Sequence, residues 1–368
     1  MTQAARCDLI GVMSGTSLDA IDAAWVSFDH SGMPEVLDFE SAPISAELRK
    51  GLLALQADSF GDLHHSQLLA IQHADETASV VNRLIARCYS NRPALRAVAV
   101  HGQTVRHQPL LGYTVQLLAG AYLAEKVGVD IIGDFRSADV ACGGQGAPLV
   151  PAFHQTVFAG EEARAVINIG GIANISLLVP DEAVRGYDTG PGNLLMDAWI
   201  AKHQGKAFDD AGNWARQGRL HQGLFDALRS ENYFIRPAPK STGRELFNLD
   251  WLEARLQALG EPIAAVDVQR SLLELTAWSI ARACEDTGIR KLWVCGGGAK
   301  NTFLMEAMRS RMDFSVLSTE ALNIHPLQVE ACAFAWLGYR FLNRLSSNLP
   351  EVTGSRRTKV LGALWPAS

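Results

Sequence analysis

Apolar and polar residues alternate along the chain in two different periods, which predicts strands and helices in turn. Short apolar runs that end at glycine or at polar turns are typical of buried strands, and apolar residues spaced i, i+3, i+4 are typical of amphipathic helices. The predicted strands are Asp8–Met13, Ile21–Phe28, Pro34–Ser41, Ala97–Val100, Val129–Ile132, Ala165–Ile169, Ile172–Val179, Lys291–Cys295 and Phe314–Leu317. The predicted helices are Ser45–Leu55, His64–Cys88, Gln116–Val127, Leu194–His203, Leu220–Leu228, Leu249–Leu259, Asp267–Thr287, Asn301–Arg311 and Leu327–Leu345. This order predicts an α/β protein with mixed sheets.

Two segments about half a chain apart share one layout. Residues 8–26 and 164–179 each read as a strand, a polar turn that contains glycine, and a returning strand. A duplicated hairpin suggests two similar lobes that face each other across a cleft, and such clefts are common ligand sites. Two unrelated hairpins would give the same layout, so this alternative stays open.

The length of 368 residues fits about two domains. We place lobe I at residues 1–130, with the C-terminal segment 340–368 as a candidate completion, and lobe II at residues 131–339. The first hairpin then lies in lobe I, and the second lies in lobe II.

Composition and charge narrow the classes of function. The chain has 33 Lys plus Arg against 39 Asp plus Glu, a net charge of −6, whereas nucleic-acid binding normally shows a basic patch. No stretch approaches the roughly 18 apolar residues of a membrane-spanning helix, and the N-terminus lacks the apolar core of a secretory signal. The six cysteines form no C-x-x-C pair, which favours buried thiols in a reducing cytoplasm. We expect a cytoplasmic globular protein with no nucleic-acid or membrane partner.

Glycines fall at three predicted strand ends, at Gly15, at Gly170-Gly171 and at Gly296–Gly298. Glycine lets backbone N–H groups come close to a phosphate, so each turn is a candidate phosphate site, although each could also be a tight turn and nothing more. Around the first turn, Ser14, Thr16 and Ser17 add hydroxyl donors. The carboxylates of Asp19 and Asp22 could hold Mg²⁺ through water. The chain has no P-loop pattern, no G-x-G-x-x-G after a strand and no G-x-S-x-G.

Two carboxylates and one arginine are candidates for chemistry. Asp188 lies in a Gly-rich turn before the helix at Leu194, where it is either a reactive carboxylate or a helix cap. Glu330 lies inside an apolar helix, where it must find a partner or shift its pKa unless it faces solvent. Arg136 stands between Asp134 and Asp139. This cluster is either structural ion pairing or a grip for a carboxylate or phosphate.

At its motifs the chain resembles the 1,6-anhydro-N-acetylmuramic acid kinases, a family of bacterial cell-wall recycling enzymes. The matching stretches run in family order from about residue 8 to 335, so the resemblance covers nearly the whole chain. They are Gly11–Asp19, His101–Thr104, Gly133–Arg136, Gly143–Pro151, Asn168–Asn174, Asp188–Asn193, Lys240–Glu245 and Cys295–Asn301. The function of the Lys240–Glu245 stretch stays open, with a structural loop as the default.

The resemblance implies a fold and a nucleotide site. The fold is the two-lobed one of actin, hexokinase and the heat-shock chaperone ATPases, a duplicated ribonuclease H-like fold with a central nucleotide cleft. The implied ATP-binding residues are Met13, Ser14, Gly15, Thr16, Ser17, Leu18, Asp19, Ala20, Gly170, Gly171, Gly296, Gly297 and Gly298. The wider superfamily usually carries an acidic residue before the glycine of the first hairpin, where this chain has Met13-Ser14. This departure bears on the metal role assigned to Asp19 and Asp22.

The resemblance also implies a reaction, in which ATP and water convert anhydro-N-acetylmuramate to N-acetylmuramate 6-phosphate. Water attacks C1 of the anhydro bridge while O6 attacks the γ-phosphate, so the water needs a carboxylate base and the phosphates need positioning and Mg²⁺. Asp188 is the expected base, and Glu330 is a possible helper that orients the same water. Arg136 is expected to bind the lactyl carboxylate. His101 and Thr104 are expected near the sugar, and a homodimer is expected because the family is generally dimeric.

Two other classes of function remain. An ordinary sugar kinase or an acetate-kinase-like enzyme of the same fold would phosphorylate a free hydroxyl and would not need water. Incorporation of ¹⁸O from water at C1 separates that class from the anhydro-sugar kinase. A nucleotide-dependent regulator or chaperone is the third class, but the sequence shows neither a DNA-binding module nor a peptide-binding domain.

Overall fold

The computed structural model describes residues 6–15, 18–56, 63–88, 95–238 and 240–367. The chain divides into unit 1, Met1–Val157 with Gln328–Ser368, and unit 2, Phe158–Leu327. Residues 131–157 and 328–339, predicted above as part of lobe II, belong to unit 1. In the described residues, none of the helices is both long enough and apolar enough to cross a membrane.

Unit 1 is built around a six-stranded sheet, beside which lies a separate two-stranded hairpin. Its strands are β1 (Cys7–Ser14), β2 (Ala20–Phe28), β3 (Pro34–Pro43), β4 (Leu95–Val100), β5 (Gln103–Gln108), β6 (Tyr113–Leu117), β7 (Ile131–Gly133) and, late in the chain, β13 (Ala363–Trp365). Its helices are α1 (Ala46–Gln56), α2 (Leu63–Cys88), α3 (Gly120–Val127), α4 (Ser137–Ala141), α5 (Val150–Phe158), α12 (Val329–Leu342) and α13 (Pro350–Thr353), with a 3₁₀ helix at Pro109–Leu111. The large sheet has the order β3-β2-β1-β4-β7-β13, and β5 pairs with β6.

Helix α12 packs directly on the sheet of unit 1, and glycines at two positions make this close contact possible. A Cβ atom at Gly11 on β1 would come within 1.9 Å of the Ala331 carbonyl oxygen, and one at Gly338 on α12 would come within 2.9 Å of Leu9. Glycine removes the side chain that would hold the two backbones apart. This packing fixes Glu330, in the first turn of α12, relative to β1.

Unit 2 contains a five-stranded sheet with helices around it. Its strands are β8 (Arg164–Ile169), β9 (Ile172–Leu178), β10 (Arg185–Pro191), β11 (Lys291–Cys295) and β12 (Ser315–Ser318). Its helices are α6 (Leu194–Gln204), α7 (Gln222–Arg229), α8 (Asn232–Ile235), α9 (Leu249–Leu259), α10 (Ala265–Cys284) and α11 (Thr302–Arg309). Short 3₁₀ helices lie at Asp210–Gly212, Ala215–Gln217, Gly297–Lys300, Thr319–Leu322 and Pro326–Gln328.

The two sheets repeat one topology. In unit 1, β1 is antiparallel to β2, β2 to β3, and β1 is parallel to β4, which is parallel to β7. In unit 2, β8, β9, β10, β11 and β12 repeat this order and these directions, with β10-β9-β8-β11-β12 as the sheet. The strand β13 is an addition at the edge of unit 1. The α/β fold class, with a duplicated ribonuclease H-like unit as in the actin-like ATPases, is confirmed.

Two local predictions were wrong. The segment Gln116–Val127 begins as the end of strand β6, and helix α3 starts only at Gly120, because Gln116 and Leu117 pair with β5. The Gly-rich stretch around Asp188 is a strand, β10, and not a turn. It lies at the edge of its sheet, the position in which a strand tolerates a proline such as Pro191.

Candidate functional site

In unit 2, the predicted phosphate turn Gly170-Gly171 connects β8 to β9 and is held by the start of α6. The Gly170 carbonyl accepts a hydrogen bond from the Asn193 N–H at 2.8 Å, and the Gly171 carbonyl accepts from Gly192 at 2.8 Å and Leu194 at 3.1 Å. A Cβ atom at Gly170 or Gly171 would meet no atom of the chain nearer than 3.7 Å. Packing of the described chain therefore does not require glycine at either position.

The turn at Gly296–Gly298 lies against the end of β8. A Cβ atom at Gly296 would lie 2.3 Å from Asn168 Oδ1, one at Gly298 would lie 2.3 Å from a methyl group of Ile169, and one at Gly297 would meet nothing nearer than 3.6 Å. Gly296 also has φ +78°, a conformation that favours glycine. The structure thus brings two of the predicted nucleotide turns together within unit 2.

Asp188 is held in place by four contacts within unit 2. It lies opposite Asn174 in the β9–β10 ladder, and the Asn174 Nδ2 donates to its Oδ1 at 3.2 Å. The Thr242 N–H donates to its Oδ2 at 3.0 Å. The Asp188 N–H donates to the Lys240 carbonyl at 3.1 Å, and the Tyr233 hydroxyl donates to the Asp188 carbonyl at 2.6 Å. The Lys240–Glu245 stretch thus supports Asp188 directly.

The surroundings of Asp188 make its carboxyl group a stronger base than usual. Burial raises the pKa of Asp188 to about 6, against the opposing effect of the hydrogen bonds from Thr242 and Asn174, and the nearby charge of Glu245 raises it further. A carboxylate with such a pKa is ionised at neutral pH and can accept a proton. The alternative role as a helix cap is excluded, because the N-cap residue of α6 is Asn193.

In unit 1, the first hairpin turn is fastened to the segment that follows β4. The Ser14 hydroxyl donates to Gln103 Oε1 at 2.6 Å, and the Gln103 Nε2 donates to the Gly15 carbonyl at 3.3 Å. His101 Nδ1 lies 3.0 Å from the Ser14 carbonyl oxygen. The Leu18 N–H donates to the Gly15 carbonyl, and its side chain is buried in the core. The predicted ATP ligands Thr16 and Ser17 lie outside the described residues.

His101 connects this turn to Arg136. The Arg136 guanidinium donates to His101 Nε2 from Nε at 3.2 Å and lies 3.0 Å from it through Nη2, while its Nη1 donates to the Gly146 carbonyl at 2.8 Å. Burial, with the neighbouring charge of Arg136, lowers the pKa of His101 to about 3. His101 is therefore neutral, and because Nε2 accepts from Arg136, its proton lies on Nδ1 and is donated to Ser14.

Arg136 is held apart from the acidic residues next to it in sequence. In the part of the chain that the structure describes, no ion pair joins it to Asp134 or Asp139. Asp139 is instead buried and accepts from the Gly146 N–H, Asn348 Nδ2 and Thr353 Oγ1, which is a structural role.

Glu330 is the carboxylate whose charge acts on Arg136. Burial lowers the pKa of Arg136 to about 10, and the Glu330 charge opposes that effect. Arg136 remains a cation at neutral pH, and the acceptors that hold it, His101 and the Gly146 carbonyl, are uncharged.

The remaining candidates of unit 1 lie on β1, β2 and β5. Thr104 Oγ1 accepts from Gln116 Nε2 at 3.2 Å. Asp22 lies opposite Met13 in the β1–β2 ladder, accepts from Ser41 at 2.6 Å, and has a pKa raised by burial.

Asp19 is exposed and lies just before Ala20, the first residue of β2. Its carboxylate lies 3.7 Å from Arg49. Within the described ranges, no three His, Cys, Asp or Glu side chains converge as a metal site.

Sequence reasoning missed four residues that hold these groups. Gln103 and Asn174 lie inside matching motifs, and Thr242 lies inside a motif that had no assigned function, so motif membership was the available signal. Tyr233 had no signal in the sequence, because its contact with Asp188 joins positions far apart in the chain.

Comparison with known proteins shows which family of proteins this chain is similar to. A family model described as anhydro-N-acetylmuramic acid kinase matches residues 7–367. The protein named anhydro-N-acetylmuramic acid kinase from Bordetella avium (strain 197N) is 48% identical over 365 residues, covering 99% of this chain and 97% of that protein. The protein of the same name from Chromobacterium violaceum is 47% identical over 361 residues, covering 97% and 98%.

A solved structure, the activator of the 2-hydroxyisocaproyl-CoA dehydratase from Clostridium difficile with bound ADPNP, is similar at a greater distance. It is 13% identical, with a TM-score of 0.47, covering 89% of this chain and 93% of that chain. That similarity is too distant to indicate a function.

Proposed function

The chain belongs to the anhydro-N-acetylmuramic acid kinase family, and from this premise we propose that it opens the 1,6-anhydro ring of anhydro-N-acetylmuramic acid with water and phosphorylates O6 from ATP. Family membership confirms that the chain is a sugar kinase, a phosphotransferase. The observation that carries the finer proposal is Asp188, a half-buried carboxylate with a pKa raised to about 6. A carboxylate base could also take the proton of a free sugar hydroxyl in an ordinary kinase step, so labelling of C1 from water is the measurement that separates the two reactions.

Asp188 acts as the general base in this proposal. It removes a proton from a water molecule as the water oxygen bonds to C1, as in an inverting glycosidase. The C1–O6 bond breaks, O6 bonds to the γ-phosphorus, and ADP leaves with the former bridging oxygen. Asp188 then releases the proton to solvent. No acid is needed at O6, because the phosphoryl group takes the place of a proton there.

The glycine turns bind the phosphates and the adenosine in this proposal. Gly170-Gly171 supports the phosphate role, because these glycines are unexplained by packing and leave room for a ligand close to the backbone. Gly296–Gly298 lies beside β8 and is assigned to the adenosine. In unit 1, the turn from Met13 to Ala20 is assigned to the phosphates, with Ser14 and Gly15 fastened by Gln103.

Arg136 binds the lactyl carboxylate of the sugar in this proposal. Its guanidinium has five N–H donors, and the described contacts with His101 and Gly146 leave part of that set for a ligand. Neutral His101 does not compensate the positive charge of Arg136, and a planar guanidinium suits a carboxylate. His101 acts by holding Arg136, while Thr104 stays a prediction as a sugar contact. Glu330 stays a prediction as the group that orients the water, to be tested by Glu330→Gln.

Mg²⁺, when bound with ATP, would neutralise phosphate charge. Asp19 and Asp22 are the hairpin carboxylates that would hold it, directly or through water, and oxygen donors of this kind suit the ion. Burial raises the pKa of Asp22, and a bound cation would favour the ionised form of this carboxylate.

The proposal includes a cytoplasmic homodimer. The β5–β6 hairpin offers a contact surface, since its tip exposes Leu110 at 90% and Leu111 at 73%. Exposed apolar patches commonly mark protein contacts. Sedimentation velocity of the Leu110→Ser, Leu111→Ser double variant should show loss of the dimer, whereas an unchanged dimer would assign the contact to another surface.

A coupled ADP-release assay tests the function. Anhydro-N-acetylmuramate should support ADP release, while N-acetylmuramate and N-acetylglucosamine should not. In H₂¹⁸O the product should carry ¹⁸O at C1. ADP release with N-acetylmuramate and no label at C1 would instead identify an ordinary sugar kinase.

A further inference from the structure

The Thr242 side chain carries a buried hydroxyl group beside Asp188 that the contacts described above leave unused. Its Oγ1 has no hydrogen-bond partner in the described chain, whereas most buried polar groups in native proteins are paired. Removing a hydroxyl from water without a partner costs free energy. A buried unpaired hydroxyl next to a proposed base therefore calls for an explanation.

The position of this hydroxyl is fixed relative to the carboxylate. The backbone N–H of the same residue, Thr242, donates to Asp188 Oδ2 at 3.0 Å. Lys240, two residues earlier, accepts from the Asp188 N–H, and its Nζ donates to the Tyr233 carbonyl at 3.1 Å and to the Phe234 carbonyl at 3.3 Å. Tyr233 itself donates to the Asp188 carbonyl. Lys240 and Tyr233 therefore hold each other and Asp188, which fixes the position of Thr242 beside the carboxylate.

The attacking water itself can be the missing hydrogen-bond partner of the Thr242 hydroxyl. A water molecule that attacks through one lone pair gives one hydrogen to the base, and its second hydrogen needs an acceptor that holds it in the attacking orientation. Asn174 and the Thr242 N–H already occupy one direction on each Asp188 oxygen. A threonine hydroxyl can accept one hydrogen bond and donate another.

We propose that the Thr242 hydroxyl binds the water that Asp188 deprotonates and orients it toward the sugar. This inference rests on the proposed function of Asp188 and adds a second water-binding group from the same unit. The Lys240–Glu245 stretch then serves both to hold the base and to place its substrate water.

Thr242→Val tests this assignment, because it removes the hydroxyl, nearly preserves the shape and keeps the backbone N–H on Asp188. We expect kcat to fall about 100-fold, the loss typical of a misplaced reacting group. The KM for the sugar and the acid limb of the pH–rate profile should stay as in the wild type. Thr242→Ser should restore most of the activity. Thr319→Val is the matched control, since it removes another buried, unpartnered hydroxyl of unit 2 and should leave turnover unchanged.

Three results would overturn the inference. A wild-type kcat in Thr242→Val would remove the water role. A rise in the sugar KM alone would make Thr242 a sugar contact, and a displaced acid limb would show that it acts only through Asp188. Asp188→Asn is measured in parallel: if that variant is also active, the proposed base has failed, whereas an inactive Asp188→Asn with an active Thr242→Val refutes only the role of Thr242.

Discussion

The Asp188 carboxyl group should destabilise the fold increasingly as the pH rises, so Asp188→Asn should abolish turnover and also remove this pH dependence of stability. Burial raises the pKa of this carboxyl from 3.8 to about 6, so the folded state holds the proton more tightly than the unfolded state. The stability that comes from the bound proton is complete below pH 3.8 and is lost as the pH rises through about 6. That rise in pKa corresponds to about 3 kcal/mol in full.

The measurement is urea unfolding of both proteins at pH 4.5 and pH 8, followed by tryptophan fluorescence. From pH 4.5 to pH 8, the free energy of unfolding of the variant should rise by about 2 kcal/mol relative to that of the wild type. The reason is that the amide introduced by Asp188→Asn does not titrate. The value is smaller than the full effect because about a third of that effect lies below pH 4.5. The exposed Asp313 provides a control, and Asp313→Asn should show no such difference. If Asp188→Asn changed the free energy of unfolding equally at both pH values, the raised pKa of the Asp188 carboxyl group would be refuted.

Other variants separate binding from folding. Arg136→Ala should raise the KM for the sugar at least tenfold more than the KM for ATP, and the reverse result would remove Arg136 from the sugar pocket. Gly171→Ala should fold normally but bind ADP more weakly in calorimetry, because its Cβ meets only van der Waals contact at 3.9 Å. Gly298→Ala should lower the melting temperature, by several degrees for a loss of about 2 kcal/mol, because its Cβ would lie 2.3 Å from Ile169. Asp22→Asn should weaken Mg²⁺-dependent ADP binding without changing ADP binding in EDTA.

The duplicated hairpins could be predicted from the sequence because their pattern is local. A strand, a glycine turn and a returning strand follow one another within a short stretch, as at Gly170-Gly171. Strand β10 was missed because Gly186, Gly190 and Pro191 are unfavourable in strands. The edge position and the bulge between Asp188 and Gly190 allow a strand there, and neither is visible in the local sequence.

The division of the chain could not be predicted from local patterns either. Helix α12 belongs to unit 1 because Gly11, more than three hundred positions earlier, lets it rest on β1. The support of Asp188 by Thr242 and Tyr233 is likewise a long-range contact. Motif membership identified the reactive candidates, but which neighbours hold each one depends on pairings between distant segments.

The discontinuity of unit 1 has a consequence for how the chain matures on the ribosome. Unit 2 is one continuous stretch, Phe158–Leu327, so its sheet can be completed as soon as that stretch emerges. The face of β1 at Gly11 has to wait for α12, and the edge of β7 has to wait for β13. Because an uncovered apolar sheet face invites aggregation, nascent unit 1 is the part of this protein that should depend most on chaperones. A chain truncated before residue 328 should aggregate through the incomplete unit 1, although all of unit 2 is present.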